Sequence, residues 1–389
     1  MTYYMPTKVY EELDAINNHA SEIAELCNGK AALIVTGRHS SSLNGSLEDL
    51  EKSLNREDVD YLVFDRTEEN PSVENLIEAV NFVRENGVEI GAVIGLGGGS
   101  PMDAAKAVSV LLFHRATLDF SSVQEITDFL YGKKTSDECF PVIAVPTTCG
   151  TGSEVTAVSV VTRNDKRTKG SISYRVFPSI ALVDPKYIMN APASVICNTA
   201  VDAFGHLVES FINRTATPYS RMLVRAGLMQ WQECKGVLLD RAANSTREES
   251  DECAESPVKT SISYAEAASL MRASTFAGMA IAQTGTSLPH GLSYGLTYEL
   301  GVPHGKAVGQ FLGRYIAAAS PDDRQEICML AGFEMPEEVD EFIYTVCGKV
   351  NASDEVLENQ VTALLNNRAK LELAPFDVDE EVLREIAGI

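Results

Sequence analysis

At 389 residues, 45% hydrophobic and 22% charged, the chain has a globular composition and enough length for two cores rather than one. Lys plus Arg total 32 and Asp plus Glu 55, and the resulting net charge of −23 works against nucleic acid or an anionic membrane surface as a partner. An anionic ligand therefore needs a local cationic site of its own. No apolar run reaches the roughly 18 residues of a membrane span, and the start M-T-Y-Y-M-P-T-K lacks a charged-then-apolar leader, so a cytoplasmic protein without membrane contact is expected. The eight cysteines form no C-x-x-C, which argues against a thiolate zinc site and for reduced thiols.

In chain order, apolar runs at 31–35 and 61–64, a helical stretch near 72–86 and a further apolar run at 92–96 read as βαβ units on a parallel sheet, with 31–35 as the first strand. Gly97, Gly98 and Gly99 follow the 92–96 strand and open a helix through Ser100, Pro101 and Asp103. Successive glycines let backbone N–H groups face a pyrophosphate, and the helix N-terminus adds partial positive charge. Ser100 reads as the N-cap and Pro101 as the first helical residue. A tight turn with no ligand accounts for the same glycines.

The strand at 141–145 leads into P-T-T-C-G-T-G-S-E, whose hydroxyls, among them Thr147, Thr148, Thr151 and Ser153, suit ribose and phosphate oxygens. Apolar runs at 155–161 and 180–183 extend the sheet. Beyond about 191 the pattern turns helical, near 199–213, 218–240, 260–284 and 305–319, with 241–260 a polar loop. Prolines 185 and 192 place the boundary, giving an α/β domain over 1–188 and an all-helical domain over 189–389.

Asp202 and His206 stand four apart in V-D-A-F-G-H, among apolar residues at helical spacing, so both side chains leave one helix face. His290 and His304 each occupy a Pro-His-Gly, where proline stiffens the chain and glycine permits close backbone approach. Taken separately, the pair reads equally as a helix-start acid with a satisfied core histidine, and the Pro-His-Gly segments as turns. One carboxylate and three imidazoles taken together are a ligand set for a divalent transition metal.

These pieces in this order resemble the iron-containing (group III) alcohol dehydrogenase family. The matching segments are G-G-G-S-x-x-D-x-A-K, P-T-T-x-G-T-G-S-E-V-T, D-P-K at 184–186, V-D-A-x-x-H and the two Pro-His-Gly, spanning about residues 30 to 345. The resemblance implies a dehydroquinate synthase-like fold: an α/β nucleotide-binding domain with a parallel sheet, then an all-α metal-binding domain. It implies Asp202, His206, His290 and His304 as ligands of Fe2+, with Zn2+ accepted by the same donors, and a homodimer. Gly97, Gly98, Gly99, Ser100 and Asp103 match the family's pyrophosphate loop, Thr147, Thr148, Thr151 and Ser153 its second nucleotide loop, and Lys169, at looser spacing, the lysine reaching the nicotinamide ribose. Where many relatives have a relay histidine four residues after the third ligand, this chain has Tyr294. A phenol exchanges protons at neutral pH less readily than an imidazole, so Tyr294 reads either as part of a water relay or as an aromatic lining the pocket.

The implied activity is an NAD(P)H-linked alcohol dehydrogenase or aldehyde reductase, with the metal polarising the substrate oxygen while hydride moves at the nicotinamide. Because the nucleotide loops and the metal residues lie in different halves, the reaction is expected where the halves meet. The default substrate is a small aldehyde or primary alcohol, with Val158, Ser159 and the 269–283 helix expected along its pocket. The segment Thr36 to Ser40 resembles that of members reducing small anionic aldehydes such as phosphonoacetaldehyde. A glycerol dehydrogenase-like or dehydroquinate synthase-like enzyme is the rival within the fold, and the four-residue ligand set stands against it. A non-enzymatic metal-binding protein is the rival outside it, and two intact nucleotide loops stand against that. Relatives preferring NAD often have an aspartate at the position of Gly37. Gly37 removes its repulsion of a 2′-phosphate, and Arg38 and Ser40 are donors for that phosphate, so NADP is expected over NAD.

Overall fold

A computed structural model describes residues 3–134, 136–248 and 261–389. The chain forms two compact units. Met5–Thr148 and Ser153–Ile188 make one, while Met189–Ile389 make the other together with Cys149–Gly152 and the N-terminal Tyr3 and Tyr4.

The first unit is built on a six-stranded, wholly parallel sheet in the order β1-β8-β5-β4-β2-β3. Its strands are β1 (Lys8–Glu11), β2 (Ala31–Thr36), β3 (Tyr61–Phe64), β4 (Ile90–Gly97), β5 (Val142–Pro146) and β8 (Ile180–Val183). Every residue of β2, β4, β5 and β8 is buried, as a parallel sheet covered on both faces requires. Leu33, Val35 and Val93 pack into the core on one face, and Ile34, Ile94 and Ile143 into the core on the other. The run 31–35 is the second strand, because β1, short and half-exposed, gives no apolar signal. The run 155–161 holds the end of a 3-10 turn, Ser153–Val155, and the start of β6 (Val160–Arg163), which pairs antiparallel with β7 (Thr168–Ser171) outside the main sheet.

Strand order reverses around β2: β3 lies on one side of it and β4 on the other. The carboxyl ends of β2 and β4 lead into Gly37 and Gly98, at the kind of switch point where doubly wound sheets bind ligands. Gly95 and Gly97 bring strand and helix together, since a Cβ on Gly95 would lie 2.8 Å from Met102 Cα and one on Gly97 2.8 Å from Pro101 Cγ.

Helix Gly99–Phe113 sends the fully buried Lys106 beneath the second loop. Its ammonium donates to Ser153 O at 2.7 Å, Ser153 Oγ at 2.7 Å, Thr156 Oγ1 at 3.3 Å and Val158 O at 2.9 Å, with Asp103 Oδ1 at 3.7 Å. Burial pushes its pKa down to about 8 against the opposing charges of Asp103 and Glu154.

The second unit is helical among its described residues. Ala193–Phe211, Pro218–Glu233, Lys235–Glu248, Tyr264–Thr284, Leu288–Leu300, His304–Gly309 and Leu312–Ala317 follow one another, then further helices to Glu380–Ala387. The expected 218–240 helix breaks at Cys234, and the expected 305–319 helix is two short ones parted near Gln310. The polar loop expected over 241–260 begins later, since helix runs to Glu248; residues 249–260 lie outside the described ones. None of the described helices is long and apolar enough to cross a membrane.

Replacing Lys106 with Met should lower unfolding stability by about 3–5 kcal/mol, because it leaves the Asp103 carboxylate and several oxygens buried without their cation. Urea denaturation of both proteins measures this, and a loss below about 1 kcal/mol, the worth of an exposed pair, would contradict it.

Candidate functional site

Helix Ala193–Phe211 presents Asp202 and His206 on one face, both buried. His290 enters from the first turn of Leu288–Leu300, and His304 begins the short helix His304–Gly309. Both Pro-His-Gly segments are thus helix starts. Their glycines admit neighbouring chain: a Cβ on Gly305 would lie 1.8 Å from Asn198 O, and one on Gly291 2.7 Å from Leu364 Cδ1. Gly205 and Gly309 serve the same crossing, against Val308 and Val201, and seat the His304 helix on the one that carries Asp202.

The cluster closes on Asp202. Ligand atoms of Asp202, His206 and His290 all lie within 4.8 Å of one another, the one such group of three or more among the described residues. His304 falls outside that group, though its Nε2 is 3.7 Å from Asp202 Oδ1. The rings of His206 and His290 stack with centroids 4.4 Å apart, and Tyr294 lies nearly parallel to His304 at 6.2 Å.

Glu209, absent from the sequence reading, orients the set. It is fully buried on the same helix, and its carboxylate accepts from Ser287 N at 3.0 Å, His290 N at 3.2 Å and His290 Nδ1. Bound in this way at Nδ1, the ring turns Nε2 toward Asp202 Oδ1, 3.5 Å away. His206 Nδ1 makes the equivalent bond to Gly150 O at 3.2 Å, leaving its Nε2 as the nitrogen available to a metal.

The electrostatics fit a cation. Burial alone would raise the pKa of Asp202, but the imidazoles of His206, His304 and His290 hold it well below the usual carboxylate range. His206 is lowered by burial. Burial would also lower His290, yet Glu209 and Asp202 push it up to about 10. Asp202 Oδ1 and His290 Nε2 are buried without a hydrogen-bond partner among the described residues, an arrangement that costs energy unless something binds both. One carboxylate with imidazoles is a donor set that Fe2+ and Zn2+ share.

At the carboxyl end of the sheet, the sequence-selected nucleotide residues divide. Gly98 is the N-cap of Gly99–Phe113, in place of Ser100, and Pro101 is the third helical residue rather than the first. Ser100 Oγ instead accepts Asn70 N at 3.0 Å. Asn70, in the left-handed region at φ 61°, also receives Thr162 Oγ1 at its carbonyl and Lys169 Nζ at its Oδ1, at 2.8 and 2.6 Å. Asn70 thereby ties the glycine-rich helix to the hairpin that carries Lys169.

Thr148 faces Gly98, where a Cβ would come within 3.2 Å of its hydroxyl. Thr147 N donates to Gly97 O at 2.8 Å. Asp103 accepts Ser153 Oγ at 2.6 Å and Val160 N at 2.9 Å, so Asp103 and Ser153 hold the two loops together. Ser159, expected along the substrate pocket, is buried with its hydroxyl on Asp103 O. Thr151 follows Gly150 in the segment that folds with the helical unit, where Gly152 at φ 59° meets Gly278. Gly37 is half-buried, and Arg38 and Ser40 are exposed.

Residues 6–185 match the family described as iron-containing alcohol dehydrogenase, and residues 196–389 match its C-terminal domain. A crystal structure of an iron-containing alcohol dehydrogenase from Thermotoga maritima is 34% identical, superposes with a TM-score of 0.82, and is aligned over 100% of this chain and 99% of that one. Among curated relatives, 1,3-propanediol dehydrogenase of Klebsiella pneumoniae is 27% identical over 317 residues, 80% of this chain and 74% of that protein. Sulfoacetaldehyde reductase of Bilophila wadsworthia is 28% identical over 308 residues, 79% of this chain and 71% of that protein.

Glu209→Gln keeps the size of the side chain but removes the charge that orients His290. Metal affinity should fall about 10- to 100-fold. Competition against a chelator of known affinity measures it, and an unchanged affinity would make Glu209 a packing residue only.

Proposed function

The chain belongs to the iron-containing alcohol dehydrogenase family, an NAD(P)-dependent oxidoreductase, and from that premise we propose that it interconverts a small aldehyde and its primary alcohol with NADPH preferred over NADH. Asp202, His206, His290 and His304 are the residues that would hold the divalent metal, which when bound withdraws charge from the substrate oxygen. The nicotinamide carries the hydride. The observation behind the ligand assignment is the pair of buried, unbonded donors, Asp202 Oδ1 and His290 Nε2, turned toward each other at 3.5 Å.

This chain's own residues prepare the site. Glu209 and the Gly150 carbonyl fix which nitrogen of His290 and His206 faces the cluster. The Tyr294 ring flanks His304. Gly98 leaves room beside the Thr148 hydroxyl, where the backbone N–H groups opening Gly99–Phe113 suit a pyrophosphate. At Gly37 no side chain is present to repel a 2′-phosphate, and the exposed Arg38 supplies a guanidinium for it.

His290→Ala should lower bound metal from one per chain toward none, read by elemental analysis of purified protein. Full occupancy together with full activity would remove His290 from the ligand set. For the cofactor, a Cβ at Gly37 would have nothing within 4 Å, so Gly37→Asp is sterically tolerated. The kcat/KM ratio of NADPH to NADH should exceed 1 in the wild type and fall by about 10-fold or more in the variant, the size of one charge-assisted contact. Equal ratios in both proteins would show that this turn does not read the 2′ position.

A further inference from the structure

Lys370, in the short helix Arg368–Leu371, holds its ammonium on Thr286, just ahead of the helix Leu288–Leu300 that carries His290 and Tyr294. Nζ donates to Thr286 O at 2.7 Å and to Thr286 Oγ1 at 2.6 Å. It also stands 5.7 Å from the centroid of the Tyr294 ring, whose own centroid is 6.2 Å from that of His304. An ammonium has three N–H groups, and Thr286 engages two of them. Lys370 and Tyr294 are each half-buried rather than sealed. The neighbouring carboxylate, Glu209, already accepts from His290 Nδ1 and from the backbone N–H groups of Ser287 and His290.

Such a cation stands out in a chain of net charge −23. A neutral aldehyde gains nothing from it. An aldehyde bearing an oxyanion would gain a charge-assisted bond that fixes which end faces the metal ligands. Holding the Thr286 loop alone would need only a neutral donor, and a long charged side chain is a costly way to supply one.

We propose that Lys370 is a specificity-determining residue that anchors the anionic end of the substrate, so that the substrate class is a short aldehyde carrying a carboxylate, sulfonate or phosphonate. This rests on the aldehyde reductase reading given above. The role belongs to binding rather than to hydride transfer: Lys370 orients the substrate, and the reacting carbonyl lies beyond it on the His304 side.

The test compares wild type, Lys370→Met and Lys370→Arg on glyoxylate, sulfoacetaldehyde, phosphonoacetaldehyde and the neutral propanal, with calorimetric titration of unreactive ethanesulfonate as a readout independent of turnover. Wild type should favour at least one of the anionic aldehydes over propanal in kcat/KM, and the three acids identify which oxyanion is taken. Lys370→Met should lose about 10- to 100-fold on that acid, mainly through KM, and change less than about 2-fold on propanal. Lys370→Arg should recover much of the preference, and ethanesulfonate should bind the wild type more tightly than the Met variant. Equal losses on charged and neutral aldehydes, or wild type favouring propanal over all three acids, would overturn the anchor while leaving aldehyde reduction intact. No reduction of any aldehyde by metal-loaded wild type would instead overturn the underlying reading.

Discussion

Two buried carboxylates on one helix face set the conditions for everything around them. Asp202 and Glu209 are both removed from solvent, and an uncompensated buried charge costs several kcal/mol. Glu209 is answered by His290 and by two backbone N–H groups. Asp202 keeps one oxygen without a hydrogen bond among the described residues and is held ionised by imidazoles. Glu209 and Asp202 both draw positive charge toward the His290 ring, and a divalent cation supplies that charge with better-matched geometry.

Glycine does the complementary work of bringing backbone close. In the helical unit, Gly205, Gly305 and Gly309 let a six-residue helix lie against Ala193–Phe211, so that His304 arrives beside Asp202. In the α/β unit, Gly95 and Gly97 let Gly99–Phe113 start directly over the sheet, and Lys106 with Asp103 pins the second loop from below. Each unit thus uses the absence of a Cβ to bring its elements close and a buried charge to hold them.

Asp202 and His206 were legible in the sequence because helical periodicity fixes which residues share a face, and the parallel sheet because buried strands read as apolar runs. Glu209 was visible by the same rule, seven residues after Asp202 and three after His206 in an apolar stretch, a lone acid with no reason to be there except a partner. The strand β1 was hidden because its residues are half-exposed, and helix Leu288–Leu300 because prolines and glycines at both ends imitate turns. Ser153 shows a different limit. A hydroxyl in a Thr-rich loop serves a ligand or the fold equally well, and the sequence gives no sign that Asp103 and Lys106 engage this one.

The most direct measurement is anomalous diffraction at the iron edge from crystals of the protein loaded with ferrous iron under argon. One peak per chain is expected within bonding distance, about 2.0–2.2 Å, of Asp202 and the His206, His290 and His304 rings. A peak elsewhere, or none at this cluster in a protein that still turns over, would contradict it.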